Sequence, residues 1–227
     1  MNSAAIRGST FFRLLLESDA EAAFAVHCAA TCHLQNDIVR KESLKFIRDQ
    51  INDGFVIGGF AADGQLVAYA ALSVDNSATS KISDLLELDP ANRRKLCMLD
   101  GVAVQPAWQS RGIHHALIAE RLCYARDLGK DIVGVTVSPR NLKSIKNLLT
   151  SGFLVIQATL LYGGHERLIL VRHLGSHAGT GYYRTKTIAL NRFDESIEAI
   201  RSGLCGFELA WDEQGQAFMH YGTPSQK

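Results

Sequence analysis

The spacing of apolar residues along the first part of the chain alternates between the patterns of strands and helices. It predicts a strand, two amphipathic helices and two further strands, at Phe11 to Leu16, about Ser18 to Leu34, about Lys41 to Asn52, Phe55 to Ala61 and Leu66 to Val74. Asp63-Gly64 joins the last two runs and favours the tight turn of an antiparallel hairpin. A longer connection runs to Lys95, and its apolar residues predict one short helix that Pro90 closes.

The second part of the chain predicts a strand, helix, strand crossover and then a hairpin. A strand from Leu96 to Val104 contains Gly101, which marks a bulge or the close approach of another backbone. The elements after it are a helix, a strand that requires parallel pairing, a helix and two strands, at about Gly112 to Leu128, Ile132 to Val137, about Arg140 to Thr150, Phe153 to Tyr162 and Arg167 to Leu174. The order βααβββαβαββ predicts an α/β (α+β) domain with a mixed central sheet over residues 1–174.

Residues 175–227 are predicted to add a C-terminal extension with the order β-α-β-β. The turn-forming residues from Gly175 to Gly181 predict a linker or loop before it. An apolar helical stripe follows, at Phe193, Ile197, Ile200 and Leu204. About fifty residues are marginal as an independent domain, so we expect the core domain to cover this stripe. A second copy of the chain, in a homodimer, is the alternative cover.

The charge balance gives no reason to expect a polyanionic partner. The 227 residues include 24 Lys and Arg against 23 Asp and Glu, so no net field draws nucleic acid or an anionic membrane to a broad surface. The first residues contain only short apolar runs broken by Arg13, which predicts neither a signal peptide nor a membrane span. We therefore expect a cytoplasmic protein that binds no nucleic acid and no membrane.

The five cysteines predict free thiols and no metal site. Their odd number and wide spacing are unlike a disulfide framework. Cys28 and Cys32 share one helical face at i, i+4, but His27 and His33 are six positions apart and do not both join that face. Ordinary helix packing is therefore their expected role.

The segment after the Leu96 strand has the composition of an anion-binding site. Gln109-Ser110-Arg111-Gly112-Ile113-His114 connects this strand directly to a helix. At a helix start the backbone N–H groups lack acceptors and the macrodipole adds about half a positive charge, so a phosphate is stabilised there. Gly112 permits a close approach and Arg111 adds charge. Taken alone, the segment fits an ordinary strand-to-helix turn with a surface arginine better than an anion site.

Two motifs in the chain resemble the cofactor segments of the GNAT acetyltransferases. Val-x-Pro-x-x-Gln-x-x-Gly-Ile at 104–113 is similar to the family's acyl-CoA signature, and Asn141-Leu-Lys-Ser144 with the later Ser151-Gly152-Phe153 is similar to its second cofactor segment. The predicted element order to about Leu174 is also the family's order. The resemblance implies a GNAT fold, acetyl-CoA or coenzyme A as co-substrate, and transfer of an acetyl group to an amine.

The resemblance also implies which residues contact coenzyme A. The backbones of Val102 and Val104 would pair with the pantetheine arm. The pyrophosphate would lie against a loop formed by Gln109, Arg111, Gly112, Ile113, His114 and His115, and the next helix would contribute Asn141 and Ser144.

Two positions depart from the family pattern. His114 replaces a small residue and would crowd the phosphates or, if protonated, attract them. Leu148 replaces a tyrosine that serves many members as general acid.

Asp100 is the candidate general base. An aliphatic amine has a pKa of about 10, so a carboxylate near the thioester would have to take up a proton before attack. Alternation along the strand places Asp100 on the same face as Val102 and Val104. A structural carboxylate that caps a backbone group is the alternative.

These observations leave two functions open. One is an N-acetyltransferase for a small-molecule or peptide amine, whose identity the sequence does not specify. The other is a GNAT-shaped module that binds or senses acyl-CoA without turnover, as the changes at His114 and Leu148 suggest. The chain contains neither Gly-x-x-x-x-Gly-Lys-Ser/Thr nor Gly-x-Gly-x-x-Gly, which disfavours a nucleotide hydrolase and a nicotinamide enzyme.

Overall fold

The computed structural model describes residues 10–175 and 181–225, and within them the chain forms one mixed sheet with helices on both faces. The strands are β1 (Phe11–Leu14), β2 (Phe55–Phe60), β3 (Leu66–Val74), β4 (Leu96–Val104), β5 (Ile132–Val137), β6 (Leu154–Leu161), β7 (His165–His173), β8 (Tyr182–Ala189), β9 (Cys205–Trp211) and β10 (Ala217–Pro224). The helices are α1 (Ala20–Thr31), α2 (Leu44–Asp53), α3 (Ser77–Leu85), α4 (Pro90–Lys95), α5 (Ile113–Asp127), α6 (Leu142–Thr150) and α7 (Phe193–Arg201). Most of the predicted linker, residues 176–180, lies outside the described residues.

The described elements confirm the predicted order, including the mixed sheet. One difference concerns the connection between β3 and β4, which contains two helices where one was expected. Pro90 begins α4 and does not end a helix, because a proline at the first helical position loses no intrahelical hydrogen bond. The Asp89 side chain caps this helix by accepting the N–H groups of Ala91 and Asn92.

The strand order is β1-β2-β3-β4-β5-β7-β6-β9-β10-β8. All neighbouring pairs are antiparallel except β4 and β5, which are parallel as the crossover through α5 requires. Alternate residues of β3 show the two faces: Tyr69 and Ala71 pack with α1 and α2, whereas Ala68 and Ala70 pack with the start of α5. The sheet is therefore covered on both sides around β3 and β4.

The strands after residue 180 continue the same sheet. Strand β9 pairs with β6 at Val155 and Gly206, and β10 and β8 follow outward. Helix α7 contacts β6, and its Phe193 is buried in the same core cluster as Phe153 and Val155. None of the described helices is both long enough and apolar enough to cross a lipid bilayer.

Candidate active site

Strands β4 and β5 separate part-way along their length and leave a gap in the sheet. They pair only at Leu96–Ile132, Cys97–Val133 and Met98–Gly134. Beyond Met98, β4 keeps its pairing with β3, and β5 keeps its pairing with β7. The facing edges of β4 and β5 are therefore left without strand partners, where an extended ligand could bond to them.

The register of β4 shows which backbone groups face this gap. The Gln105 N–H donates to Val67 O at 2.9 Å, and Ala103 lies opposite Tyr69 in the same register. In an antiparallel pair the residues alternate between bonding the partner and pointing away from it. Val102 and Val104 therefore direct their backbone groups away from β3, into the gap.

The turn that follows β4 presents a run of unpaired amides. Within the described part of the chain, none of the backbone N–H groups of residues 111–115 donates to an acceptor, and the helical bonds begin with Ala116 N–H to Gly112 O. Ser110 and Gly112 have left-handed φ values of 61° and 80°. Two left-handed residues this close together turn successive amides to one side, which makes an anion-binding concavity.

The gap and the turn open onto one cavity of about 700 Å³. All the residues predicted to hold the cofactor line it except Arg111, whose guanidinium stacks 4.8 Å from the centre of the Trp108 ring. Gln109 also anchors the loop, because its Nε2 donates to Val104 O at 3.2 Å. The structure thus brings the predicted residues together around a single space.

Helix α6 begins at the same cavity. The Asn141 side chain accepts the Ser144 N–H at 3.2 Å, so the Asn-x-x-Ser motif is in part a helix cap. The cap uses Asn141 Oδ1 and leaves Nδ2 available.

Beside Asn141, two arginines contact the loop between α1 and α2. Arg140 pairs with Asp37 of that loop, and Arg167 Nη1 donates to Asp37 O at 2.6 Å. These two contacts fasten that loop across the end of the gap.

His114 lies in the cavity wall as a neutral imidazole. Burial, together with the neighbouring charges of Arg121 and His115, lowers the pKa of His114 to about 4. Its Nδ1 is 3.0 Å from Asn147 Nδ2, a donor, so Nδ1 accepts and Nε2 carries the hydrogen. The sequence allowed two effects of this ring, crowding of the phosphates or attraction by its positive charge. The second expectation is wrong near neutral pH, because the ring is then uncharged.

This depressed pKa predicts acid-sensitive stability. In the unfolded chain His114 takes up a proton near its ordinary pKa of 6.5, whereas in the folded protein it does so only near pH 4. The contribution of the neutral imidazole to the free energy of unfolding is therefore complete above about pH 6.5 and is lost as the pH falls towards 4. In His114→Ala, the decline in unfolding free energy between these values should shrink by up to about 3 kcal/mol. Urea titrations at several pH values measure this, with exposed His173→Ala as control. An equally steep decline in His114→Ala would contradict it.

Leu148 contributes no chemistry to the cavity. It is 2% exposed and packs with Ile145 and Phe153 in the core beneath α6. Any general acid must therefore come from another position, or the thiolate leaves without one.

Strand β4 bulges at Asp100 and Gly101, as the interior glycine predicted. Ala70 lies opposite Val102 and Leu72 lies opposite Leu99, so two residues of β4 oppose Ala71 alone. The expectation that Asp100 shares a face with Val102 and Val104 is wrong, because this extra residue reverses the alternation. The Asp100 carboxylate lies on the α1 and α2 face, whereas Val102 and Val104 pack towards α5.

Three donors fix the Asp100 side chain. Ser73 Oγ donates to Oδ2 at 2.9 Å, Gln50 Nε2 donates to Oδ2 at 3.2 Å, and the Gly101 N–H donates to Oδ1 at 2.9 Å. The last bond is the backbone cap expected of a structural carboxylate. Asp100 is half-buried and does not line the large cavity.

A buried arginine holds the bulge from the α5 face. Arg121 is 1% exposed, and its Nη1 donates to the carbonyls of Ala71 and Asp100, at 3.2 and 3.3 Å. These carbonyls lie where the bulge interrupts the ladder, so the guanidinium replaces lost strand bonds. Burial lowers the Arg121 pKa to about 9, so the group remains charged at neutral pH. The sequence offered no signal for this role beyond a charged residue within an apolar helix pattern.

A second carboxylate, Glu42, lies near Asp100 and was not among the predicted residues. Its side chain is 10% exposed, and Arg40 Nε lies 3.3 Å from its Oε2. Burial raises the pKa of Glu42 to about 7, an effect that Arg40 opposes and Asp100 increases. The charges of Glu42 and Asp100 are therefore close enough to affect each other.

The other predicted chemistry takes ordinary positions. His27 is buried against Tyr69, and Cys28 and Cys32 are exposed thiols. Across residues 10–175 and 181–225, no cluster of three or more His, Cys, Asp or Glu is arranged to hold a metal ion.

Parallel strands that part beside an amide-rich helix start define the class of acyl-CoA-binding acetyltransferase folds. Residues 17–153 match the model of the acetyltransferase (GNAT) family, which is more than half of the chain. The chain belongs to the GNAT acetyltransferase family.

Solved structures share this fold at low sequence identity. NAA60 from Arabidopsis thaliana, in complex with acetyl-CoA, is 20% identical with a TM-score of 0.58, over 74% of this chain and 100% of that one. The protein yncA from Salmonella typhimurium, with its cofactor acetyl-CoA, is 18% identical with a TM-score of 0.56, over 76% and 98%. The ribosomal-protein-S18-alanine N-acetyltransferase from Escherichia coli is 17% identical with a TM-score of 0.54, over 77% and 100%. No curated protein matches the sequence.

Proposed function

We propose that the protein is an acetyl-CoA-dependent N-acetyltransferase that moves an acetyl group from the thioester to a primary amine by direct attack. The observation that carries this proposal is the run of five unpaired amides, 111–115, opening onto the same cavity as the gap between β4 and β5. A pyrophosphate needs clustered donors, and a pantetheine arm needs an extended path with backbone partners. The cavity supplies both next to each other.

The groups that line the cavity match the parts of coenzyme A, and they follow one another in the same order as those parts. Backbone groups of Val102 and Val104 would pair with the arm in the gap, and the amides of Arg111 to His115 would hold the pyrophosphate. Gln109 shapes the loop, and Asn141 Nδ2 and Ser144 reach the cavity from α6. The complexes of NAA60 and yncA with acetyl-CoA support this assignment.

The chain's own contribution to the reaction is to position the amine and remove its proton. Acetyl-CoA supplies an activated acyl group whose leaving thiolate is already fairly stable. We assign to Asp100, acting directly or through a water, the removal of a proton from the ammonium form of the acceptor. Its location at the bulge supports this role, because β4 carries the carboxylate beside the gap where the thioester would end.

The acceptor and setting follow from the same proposal. We infer a small-molecule or peptide amine as acceptor and a cytoplasmic location, with no nucleic acid or membrane as partner. Residues 1–174 would form the acyl-CoA binding domain, and residues 175–227 an extension packed on it.

A turnover assay over a panel of primary amines tests the function. Thiol release from acetyl-CoA should depend on both the amine and the enzyme, and mass spectrometry should find the amine 42 Da heavier, about the mass of an added acetyl group replacing hydrogen. Acetyl-CoA binding without turnover on any amine would favour the sensing module. Absence of binding would contradict both.

Asp100→Asn should lower the rate at neutral pH by about a hundredfold. The rate should recover at high pH, where free amine is already present. The pH–rate profile measures this, with Asp49→Asn, an exposed residue on α2 paired with Lys45, as the matched control. A normal profile in the Asp100 variant would leave Asp100 with a structural role only.

A further inference from the structure

Arg121 is a charged side chain in the core that no step of the proposed reaction uses. It lies on α5, where the neighbouring Leu117, Ile118 and Leu122 are buried and apolar, and it is itself 1% exposed. Removal of an ion from water is costly, so a helix position of this kind is ordinarily filled by an apolar residue. Packing alone therefore does not explain a charge at this position.

The hydrogen bonds of Arg121 join one helix to two strands. Its Nε donates to Leu117 O at 3.1 Å, on the preceding turn of α5 itself. Its Nη1 donates to Ala71 O of β3 at 3.2 Å and to Asp100 O of β4 at 3.3 Å. The first bond fixes the guanidinium relative to α5, and the other two fix the bulge relative to the guanidinium. Because the fork of donors is planar and rigid, Arg121 connects α5 firmly to the point where β3 and β4 lose their regular pairing.

The bulge that Arg121 holds decides which backbone groups of β4 face the gap. The extra residue shifts the pairing with β3 by one position, so that the backbone groups of Val102 and Val104 point away from β3. A slip of one residue would turn these groups back towards β3 and would direct those of Ala103 into the gap. The bulge also lies shortly after Met98, the last residue of β4 that pairs with β5. Its geometry therefore controls the edge on which we propose that the pantetheine arm binds.

The same helix carries the other half of the proposed cofactor site. The unpaired amides of residues 111–115 belong to the first turn of α5 and to the loop before it. Arg121 lies about two turns further along this helix. Its charge makes the largest contribution after burial to the lowered pKa of His114, so Arg121 lies close to the cavity wall. One side chain therefore links the turn with the unpaired amides to the free edge of β4.

We propose that Arg121 is a positioning residue that holds the two halves of the coenzyme A site in the geometry that one cofactor molecule requires. The inference rests on the proposed acetyl transfer, because it takes acetyl-CoA as the ligand. Pyrophosphate and pantetheine belong to one molecule, so the second contact is intramolecular once the first has formed. This gain in affinity requires that both halves are correctly placed before the ligand binds. Arg121 acts through the backbones of α5 and β4 and not by touching the cofactor.

Arg121→Met tests this role by comparing two ligands in calorimetry of the full-length protein. Methionine is long and apolar but donates no hydrogen bond, so α5 and the bulge lose their connection. Acetyl-CoA should bind about a hundredfold more weakly, because the two halves of the site no longer act together. The phosphoadenosine diphosphate half of coenzyme A has the pyrophosphate but no pantetheine arm. Its affinity should stay within about twofold of the wild-type value, because the turn that holds the pyrophosphate is unchanged.

Leu122→Ala is the matched control on the same helix. Leu122 is 4% exposed and packs in the core without hydrogen bonds to a strand, so this variant should melt at a lower temperature and keep its affinity for both ligands. Arg121→Lys is the second variant, for the case that methionine prevents folding. A single ammonium group keeps the charge but cannot replace the fork of donors, so acetyl-CoA alone should bind about tenfold more weakly.

Three results would overturn the inference. They are unchanged acetyl-CoA affinity in the Arg121 variants, an equal loss of both ligands in these variants, and a comparable loss of acetyl-CoA affinity in Leu122→Ala. The last two would show general destabilisation of the site and not a loss of its geometry. If the wild type binds neither ligand, the proposed function fails and the inference fails with it. If the wild type binds both, the function stands and the Arg121 variants decide the inference separately.

Discussion

Gly112→Val should reduce acetyl-CoA affinity by about a thousandfold or more, because at least two charge-assisted hydrogen bonds, each worth about 1.5–3 kcal/mol, would be lost. Gly112 has a φ of 80°, which a β-branched residue adopts only under strain, so the turn must change shape. A Cβ at this position meets no protein atom within 4 Å. No protein atom would keep the side chain out of the cavity that Gly112 lines, in which we propose that the phosphates bind.

Gly129→Val is the matched control for this experiment. Gly129 has a φ of 68°, follows the other end of the same helix, and likewise has no atom within 4 Å of an added Cβ. Both variants should lose a similar amount of stability, but only Gly112→Val should lose the calorimetric signal of acetyl-CoA. Equal affinities in the two variants would refute the assignment of the pyrophosphate to this turn.

The sequence predicted the fold well where local pattern and tertiary structure agree. Strand β4 was predicted with the bounds that the structure shows, Leu96–Val104, and Gly101 marked its bulge. The predicted face of Asp100 was wrong because of this bulge, since alternation of side chains holds only in an unbroken ladder. A glycine predicts that a bulge exists, but the register of the neighbouring strand decides which residue is extra.

Glu42 shows what the sequence does not contain. It lies just before α2, at the start of the segment that the sequence predicts as a helix, and 58 positions separate it from Asp100. Its raised pKa results from burial and from a neighbour brought close only by folding. Arg121 is similar, because the two carbonyls to which its Nη1 donates belong to different strands. The pKa of Glu42 and the hydrogen bonds of Arg121 depend on segments that are distant in the sequence, so only the structure reveals them.

The second large effect should follow from removal of the strands and helix after Leu174. Strand β9 lies directly against β6: a Cβ on Gly206 would be 3.0 Å from Val155 Cβ and 3.0 Å from Met219 Cγ. Ile188, Leu190, Phe193 and Met219 are buried in one cluster with the core residues Phe153 and Val155. Ile197, Ile200 and Leu204 pack against the same cluster, so the chain's own core contributes to covering the apolar stripe of α7. Removing the extension would expose β6 as an apolar edge next to α6, a structure prone to aggregation.

A chain ending at Leu174 should accordingly be insoluble, or should melt well below the full-length protein. Failure to fold would by itself say little about function, so Gly206→Val provides a milder variant. Overpacking at the β6–β9 contact should lower the free energy of unfolding by about 1–3 kcal/mol and leave the cofactor loop intact. Gly203→Val, in the open turn before β9 with a φ of 87°, measures the backbone strain alone. Calorimetric melting and acetyl-CoA titration separate the outcomes. A truncated chain that stays soluble, monomeric and equally stable contradicts the packing role, whereas one that binds acetyl-CoA but transfers no acetyl group places the extension at the acceptor site.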